Sequence, residues 1–118
     1  DFPRVEADPD KIKQVVLNLL SNAIKYNHPN GEVAVSTGAG KEEWILAVKD
    51  TGIGIPESAL PHLFEKFYRV YTTEEQVGGT GLGLSICKQI ITGHSGRIEV
   101  KSKPGKGTTF TVHIPRKS

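Results

Sequence analysis

Between residues 9 and 26, apolar side chains recur at Ile12, Val15, Val16, Leu19, Leu20, Ala23 and Ile24, the i, i+3, i+4, i+7, i+8 spacing of a helix that buries one face. A helix so patterned must lie on an apolar surface, and that requirement shapes the rest of the chain. Its start is marked by Asp8-Pro9, an N-cap followed by proline at the first helical position. Its end falls near Tyr26, before Asn27-His28-Pro29-Asn30-Gly31, because the residue before a proline disfavours helix and Asn-Gly favours a turn.

The surface it needs is a sheet. Residues 33–37 and 44–50 are rich in β-formers and flank Gly38-Ala39-Gly40-Lys41, which predicts a hairpin. Residues 97–101 and 108–114 alternate on either side of Lys103-Pro104-Gly105-Lys106-Gly107 and predict a second. A short helical stretch is expected over 58–67. Another amphipathic helix opens at Gly79-Thr80-Gly81-Leu82-Gly83-Leu84, carries Leu82, Ile86, Ile90 and Ile91 on its stripe, and ends near Gly93. Residues 71–79 are polar and aperiodic, and a mobile loop is expected there. With an extended start over residues 2–7, the predicted fold is α+β. It is a two-layer α/β sandwich whose mixed, mostly antiparallel sheet of about five strands carries three helices on one face.

Composition narrows the function classes. The 118 residues make one domain, and 24% charged with 36% hydrophobic residues describes an ordinary globular one. No apolar run approaches the roughly 18 residues of a membrane span. The single cysteine, Cys87, cannot form an internal disulfide, and no Cys/His cluster has zinc-ligand spacing. A formal net charge of +2 is too small to make nucleic acid the expected partner. A chain that starts with Asp and lacks Met is expected to be a piece of something longer. Glycine is in excess at 13 residues, and its clusters at 52–54 and 78–83 mark where backbone is expected to meet a ligand.

Three segments combine residue types suited to a nucleotide. Asn18, Asn22 and Lys25 stand at i, i+4 and i+7 along one flank of the first helix's stripe. Asn is a mediocre helix former. Its carboxamide oxygen suits Mg²⁺, which takes one or two protein ligands and completes its shell with water and phosphate oxygens. For the pair taken alone, partly buried Asn satisfied by backbone groups is the simpler account. Asp50 ends a hydrophobic strand ahead of Thr51-Gly52-Ile53-Gly54. A carboxylate in an apolar slot accepts a hydrogen bond from the exocyclic amine of adenine, and glycines let a planar ring approach the backbone. An Asp capping a turn accounts for that segment equally well. Gly78-Gly79-Thr80-Gly81-Leu82-Gly83 precedes a helix, so free N–H groups and the helix N-terminus favour phosphate there, against the alternative of a plain flexible connector. Neither G-x-x-x-x-G-K-[ST] nor G-x-G-x-x-G occurs, which disfavours P-loop and dinucleotide-binding folds.

The order of these segments carries more than any one of them. Asn18-Leu19-Leu20-Ser21-Asn22-Ala23-Ile24-Lys25-Tyr26, within 14–26, resembles the N box of sensor histidine kinases, and Asp50-Thr51-Gly52-Ile53-Gly54 (50–54) their first glycine box. Leu63-Phe64-Glu65-Lys66-Phe67-Tyr68-Arg69 (63–69) resembles their F box, and Gly79-Thr80-Gly81-Leu82-Gly83-Leu84 (79–84) their second glycine box. On these motifs the chain is similar to the catalytic ATP-binding domain of two-component sensor histidine kinases. That is the Bergerat fold, shared with type II topoisomerase B subunits, a heat-shock chaperone family and MutL-type repair proteins.

The resemblance implies a single catalytic domain over 1–118, with an ATP lid at 69–79 and with ATP and Mg²⁺ as cofactors. It implies that Asn22, with Asn18 beside it, holds Mg²⁺, and that Lys25 and Tyr26 lie near the phosphates and ring. Asp50 would accept the adenine amino hydrogen, with Gly52, Gly54 and Ile55 in the nucleotide site. Arg69 would offer a cation to the γ-phosphate, Gly79, Thr80, Gly81, Leu82 and Gly83 would hold the triphosphate, and Thr108 would meet the adenine or its ordered water.

Where the family's ATP-hydrolysing members place a Glu one turn before the metal-binding Asn, this chain has Asn18, which cannot act as a base. The implied reaction is therefore donation of the γ-phosphoryl group to a histidine imidazole rather than to water. None of His28, His62, His94 or His113 sits in the family's acceptor pattern, so the acceptor is expected on a dimerisation domain N-terminal to Asp1. The partners implied are that dimerisation and histidine-phosphotransfer domain and the receiver domain of a cognate response regulator. The full-length protein is expected to be a homodimer and the isolated domain a monomer. The domain is expected to be cytoplasmic, with a parent that is membrane-anchored or soluble. One alternative is an ATP-hydrolysing clamp related to topoisomerase or chaperone N-domains, which Asn18 argues against. Another is a non-catalytic module, against which stand Asn22, Asp50 and both glycine boxes. Thr92-Gly93-His94-Ser95-Gly96 departs from the family's usual acidic, apolar, His, Gly, Gly run, which puts the geometry of that helix end in question.

Overall fold

The structure, a computed structural model, describes residues 9–65 and 83–115. Along the chain it forms α1 (Pro9–Lys25), β1 (Val33–Ala39), β2 (Glu43–Asp50), a 3-10 helix (Glu57–His62), α2 (Gly83–Gly93), β3 (Arg97–Lys103) and β4 (Gly107–Pro115). The strands join in the order β1-β2-β4-β3, and every described pair is antiparallel. The sheet thus has four described strands rather than about five. The extended start expected over 2–7 lies outside the described residues. So does the end of the helical stretch expected over 58–67, which is a 3-10 helix as far as His62, with Pro61 inside it, and a turn over 63–65. Proline supplies no backbone donor there, which favours a short turn over a longer α-helix.

Alternation along the strands puts one set of side chains under the helices. On β4, Thr108, Phe110, Val112 and Ile114 are buried, and on β2 Val48 pairs in register with Phe110. Both helices pack on this face, α1 against β2 and α2 against β3, and against each other. The centre of the core is Val15, Leu19, Val48, Cys87, Ile91 and Val112. Phe64 closes one side by meeting the Phe110 ring edge-on, centroids 6.4 Å apart.

Two helix stripes differ in detail from the expectation. Val15, Leu19 and Ala23 are buried as the spacing predicts, but Ile24 is 68% exposed. Nine positions after Val15 is about two and a half turns, so Ile24 has rotated half a turn away from it. In α2 the buried residues are Ser85, Cys87 and Ile91, while Ile86 and Ile90 are half-buried. Cys87 faces α1 closely, with its Sγ 3.9 Å from the carbonyl oxygen of Val15.

The end of α2 explains the unusual run at 92–96. Ser95 N–H bonds the carbonyl of Thr92 and Gly96 N–H that of Ile91, while Ser95 takes the left-handed conformation (φ 61°). This is a Schellman cap with serine where glycine is usual. His94 adds a bond from its ring Nδ1 to the carbonyl of Ile90, at 2.8 Å. On the opposite face of the sheet, His113 is only 8% exposed. Its Nδ1 lies 2.9 Å from Glu43 and its Nε2 2.6 Å from Glu99. The second approach is an ion-pair contact without hydrogen-bond geometry, and Arg97 pairs with Glu43 at 3.0 Å. Among the described residues no helix is long and apolar enough to cross a membrane.

Candidate functional site

The polar flank of α1, the turn after β2 and the β3–β4 hairpin meet at one end of the sheet. The carbonyl of Tyr26, just past the end of α1, accepts the N–H of Ile53 at 3.0 Å. A Cβ on Gly52 would stand 2.3 Å from that same oxygen, and one on Gly54 (φ +78°) 2.2 Å from the carbonyl oxygen of Lys103. These glycines therefore let backbone pack on backbone, a use distinct from the approach of a planar ring that their place in the sequence suggests.

Packing the turn this tightly fixes Asp50. Its Oδ1 accepts the N–H of Gly52 at 2.8 Å and of Thr108 at 3.2 Å, and Asp50 and Thr108 are register partners across β2 and β4. Both are buried, at 7% and 6% exposure. Burial pushes the Asp50 carboxyl above its ordinary value, with the Gly52 and Thr108 N–H groups pulling the other way. Among the described residues Oδ2 has no hydrogen-bond partner and remains an acceptor.

Residues that sequence reasoning missed hold the turn in place. Ser102 accepts the N–H of Ile55 at 2.7 Å, donates to the carbonyl of Gly107 at 2.9 Å and lies 2.8 Å from the Thr108 hydroxyl. Gly105 N–H bonds the carbonyl of Ile53 at 2.8 Å. On the other side, Asn27 Nδ2 donates to the carbonyl of Glu32 at 2.9 Å, and Thr51 Oγ1 accepts the N–H of Glu32 at 2.8 Å. Two of Ser102's partners lie in its own hairpin, but nothing local marks it as a brace of the turn after β2, because Ile55 lies 47 residues away.

On α1, Asn18 is half-buried and its Nδ2 makes a long 3.5 Å bond to the carbonyl of Gly83, where the described part of α2 begins. Asn22 and Tyr26 are half-buried and Lys25 is exposed. Among the described residues the Asn22 carboxamide has no hydrogen-bond partner, and no group of three or more His, Cys, Asp or Glu is arranged to hold a metal. That donor set suits a Mg²⁺ ion held by one or two carboxamide oxygens and otherwise by ligand oxygens and water. Ile55 is buried beneath the turn and Gly83 is half-buried. Arg69, Gly79, Thr80, Gly81, Leu82 and the lid expected at 69–79 lie outside the described residues.

Residues 7–118 match the family described as "Histidine kinase-, DNA gyrase B-, and HSP90-like ATPase". The chain is 46% identical over 113 residues to the circadian input-output histidine kinase CikA of Synechococcus elongatus, covering 95% of this chain and 15% of CikA. Among solved structures, a mycobacterial sensor histidine kinase, MprB, superposes with a TM-score of 0.83 at 31% identity, covering 96% of this chain and 77% of that one. Full-length ShkA in complex with AMPPNP superposes at 0.84 with 30% identity, over 99% of this chain and 24% of that one. The chain thus spans a small fraction of the length of CikA and ShkA.

Proposed function

The chain belongs to the histidine kinase-, DNA gyrase B- and HSP90-like ATPase family, as a sensor histidine kinase ATP-binding catalytic domain, and from that premise we propose that it binds Mg-ATP and donates the γ-phosphoryl group to a histidine on the dimerisation domain of its parent protein. The observation that carries the reading is the convergence of three distant segments. Tyr26 meets Ile53, Asp50 meets Thr108 and Asn18 meets Gly83, so the carboxamides, the buried carboxylate and the start of α2 surround one end of the sheet. ShkA, a structural neighbour, was solved with AMPPNP, an ATP analogue.

In this reading Asp50 Oδ2 accepts a hydrogen from the adenine amine, and guanine, with a carbonyl at that position, would present an acceptor to an acceptor. Thr108 lies beside it, and Gly52, Gly54 and Ile55 shape the slot. Asn22, with Asn18, holds Mg²⁺, whose charge offsets that of the phosphate oxygens. Lys25 and Arg69 would supply further positive charge, and the glycine-rich run from Gly79 to Gly83 would offer backbone N–H groups to the triphosphate. An imidazole nitrogen of the acceptor histidine attacks the γ-phosphorus in line as the bond to the bridging oxygen breaks and ADP leaves. Asn18 offers water no general base, which favours transfer over hydrolysis. The phosphoryl group then passes to the receiver domain of a response regulator.

Titration calorimetry with ATP, GTP and ATP plus chelator tests the binding half. We expect Mg²⁺-dependent binding and strong preference for ATP, and equal affinity for GTP would sink the role of Asp50. Phosphotransfer to a separately supplied dimerisation domain tests the other half, with Asn22→Asp and Asp50→Ala expected to abolish it. Normal transfer by a folded Asp50→Ala chain would refute the mechanism.

A further inference from the structure

We propose that Ser102, through the hydroxyl of Thr108, sets which way the base slot is polarised and so contributes to selecting adenine over a 6-oxopurine. The inference rests on the nucleotide-site reading above and adds to it a residue outside the four sequence motifs. Ser102 is half-buried on the core-facing side of β3 and is register partner to Thr108 on β4. Its Oγ has three neighbours at hydrogen-bond distance: the Ile55 N–H at 2.7 Å, the Gly107 carbonyl at 2.9 Å and the Thr108 hydroxyl at 2.8 Å.

A serine hydroxyl has one hydrogen to donate and two lone pairs to accept with. The Ile55 N–H is a donor by nature and occupies one lone pair. The Gly107 carbonyl is an acceptor by nature and takes the hydrogen. The remaining lone pair then faces Thr108, so that hydroxyl satisfies Ser102 only by donating to it. The other assignment, with Ser102 donating to Thr108, withdraws its hydrogen from Gly107 and leaves a lone pair unused. With its hydrogen directed at Ser102, Thr108 turns lone pairs toward its surroundings.

The consequence lies beside Asp50. Thr108 N–H is bonded to the Asp50 carboxylate and the two residues are register partners across β2 and β4, so the residue that carries the accepting hydroxyl is the one directly opposite the accepting carboxylate. Such a slot favours an exocyclic amine, directly or through a water, and disfavours the carbonyl of a 6-oxopurine. Ser102 is thus a positioning residue: it acts on the nucleotide through Thr108.

The test compares Mg-ATP with Mg-ITP, which carries a carbonyl at position 6 in place of the amine. Affinities for the 118-residue chain and its variants are read by calorimetry, with circular dichroism to confirm folding. In Ser102→Ala the Thr108 hydrogen is released to serve a carbonyl. The ATP-to-ITP affinity ratio is expected to fall about five- to tenfold, the effect of one hydrogen bond of ordinary strength. Ser102→Thr, which keeps the hydroxyl, is expected to restore it. An Ala variant that weakens both nucleotides equally and leaves the ratio intact would show a merely structural role and overturn the proposal, as would a Thr variant that behaves like Ala. Should Ser102→Ala fail to fold, Thr108→Val removes the hydroxyl itself and is expected to lower the ratio similarly; an unchanged ratio overturns the proposal. A wild-type chain that binds ATP no better than ITP would instead refute the adenine reading of Asp50, an outcome distinct from failure at Ser102.

Discussion

The buried carboxyl of Asp50 carries a cost to folding. Burial raises its carboxyl above the ordinary value of 3.8, against the pull of the Gly52 and Thr108 N–H groups. The folded chain therefore holds more protons than the unfolded one between 3.8 and the raised value, and stability falls as pH rises through that window. Above it, the buried charge is a constant penalty. Asp50→Asn keeps an acceptor for both N–H groups and removes the charge. It is expected to raise the melting temperature near neutral pH and flatten the acid-side slope, while lowering ATP affinity about tenfold or more, as expected for a hydrogen bond to a charged group. Melting curves from about pH 4 to 8 with matched calorimetry check both. An Asn variant less stable at neutral pH would contradict the assignment of burial as the leading cause. In the sequence Asp50 stands out between a hydrophobic strand and a glycine turn, where capping the turn and meeting a base are equally good accounts. Its two N–H partners were legible only in part, since Gly52 is adjacent in sequence and Thr108 is 58 residues away.

Individual elements carry their own tests. The Schellman cap of α2 holds Ser95 at φ 61°, where an L side chain is strained and glycine is not. Ser95→Gly is expected to stabilise the chain by about 0.5–1 kcal/mol in urea unfolding, and destabilisation would show that the serine side chain contributes something the cap geometry does not reveal. Here the local sequence placed the helix end near Gly93 but not the conformation, because the family's usual glycine is missing at 95. On the outer face of the sheet, hydrogen bonding from His113, with help from Arg97, holds the Glu43 carboxyl below its ordinary value of 4.5. The stability Glu43 contributes is present above 4.5 and lost as pH falls through its depressed folded value. Glu43→Gln should therefore lose less melting temperature than the wild type on acidification below that point. No reading of the chain in order finds this cluster, since Glu43 and His113 are 70 residues apart.

For the molecule as a whole, a ligand that binds only the folded state stabilises it by mass action. Mg-ATP at a hundred times its dissociation constant is expected to add about 2.7 kcal/mol of apparent stability. Addition of a chelator should remove most of that shift, and a shift unaffected by chelation would contradict a Mg²⁺-linked site at Asn22. Local pattern in the chain was enough to place the two long helices, the two hairpins and the order of the motifs. Hydrophobic period, capping and turn chemistry all act over a few residues. Packing between distant segments selected which face of each element turns inward at its ends, as at Ile24 and Ser85, gave glycines 52 and 54 their place in backbone packing, and set Ser102 and Asn27 to brace the turn. Those outcomes depend on strand register and on contacts between segments such as Glu32 and Thr51, 19 residues apart, and Ile55 and Ser102, 47 apart, which no local pattern encodes.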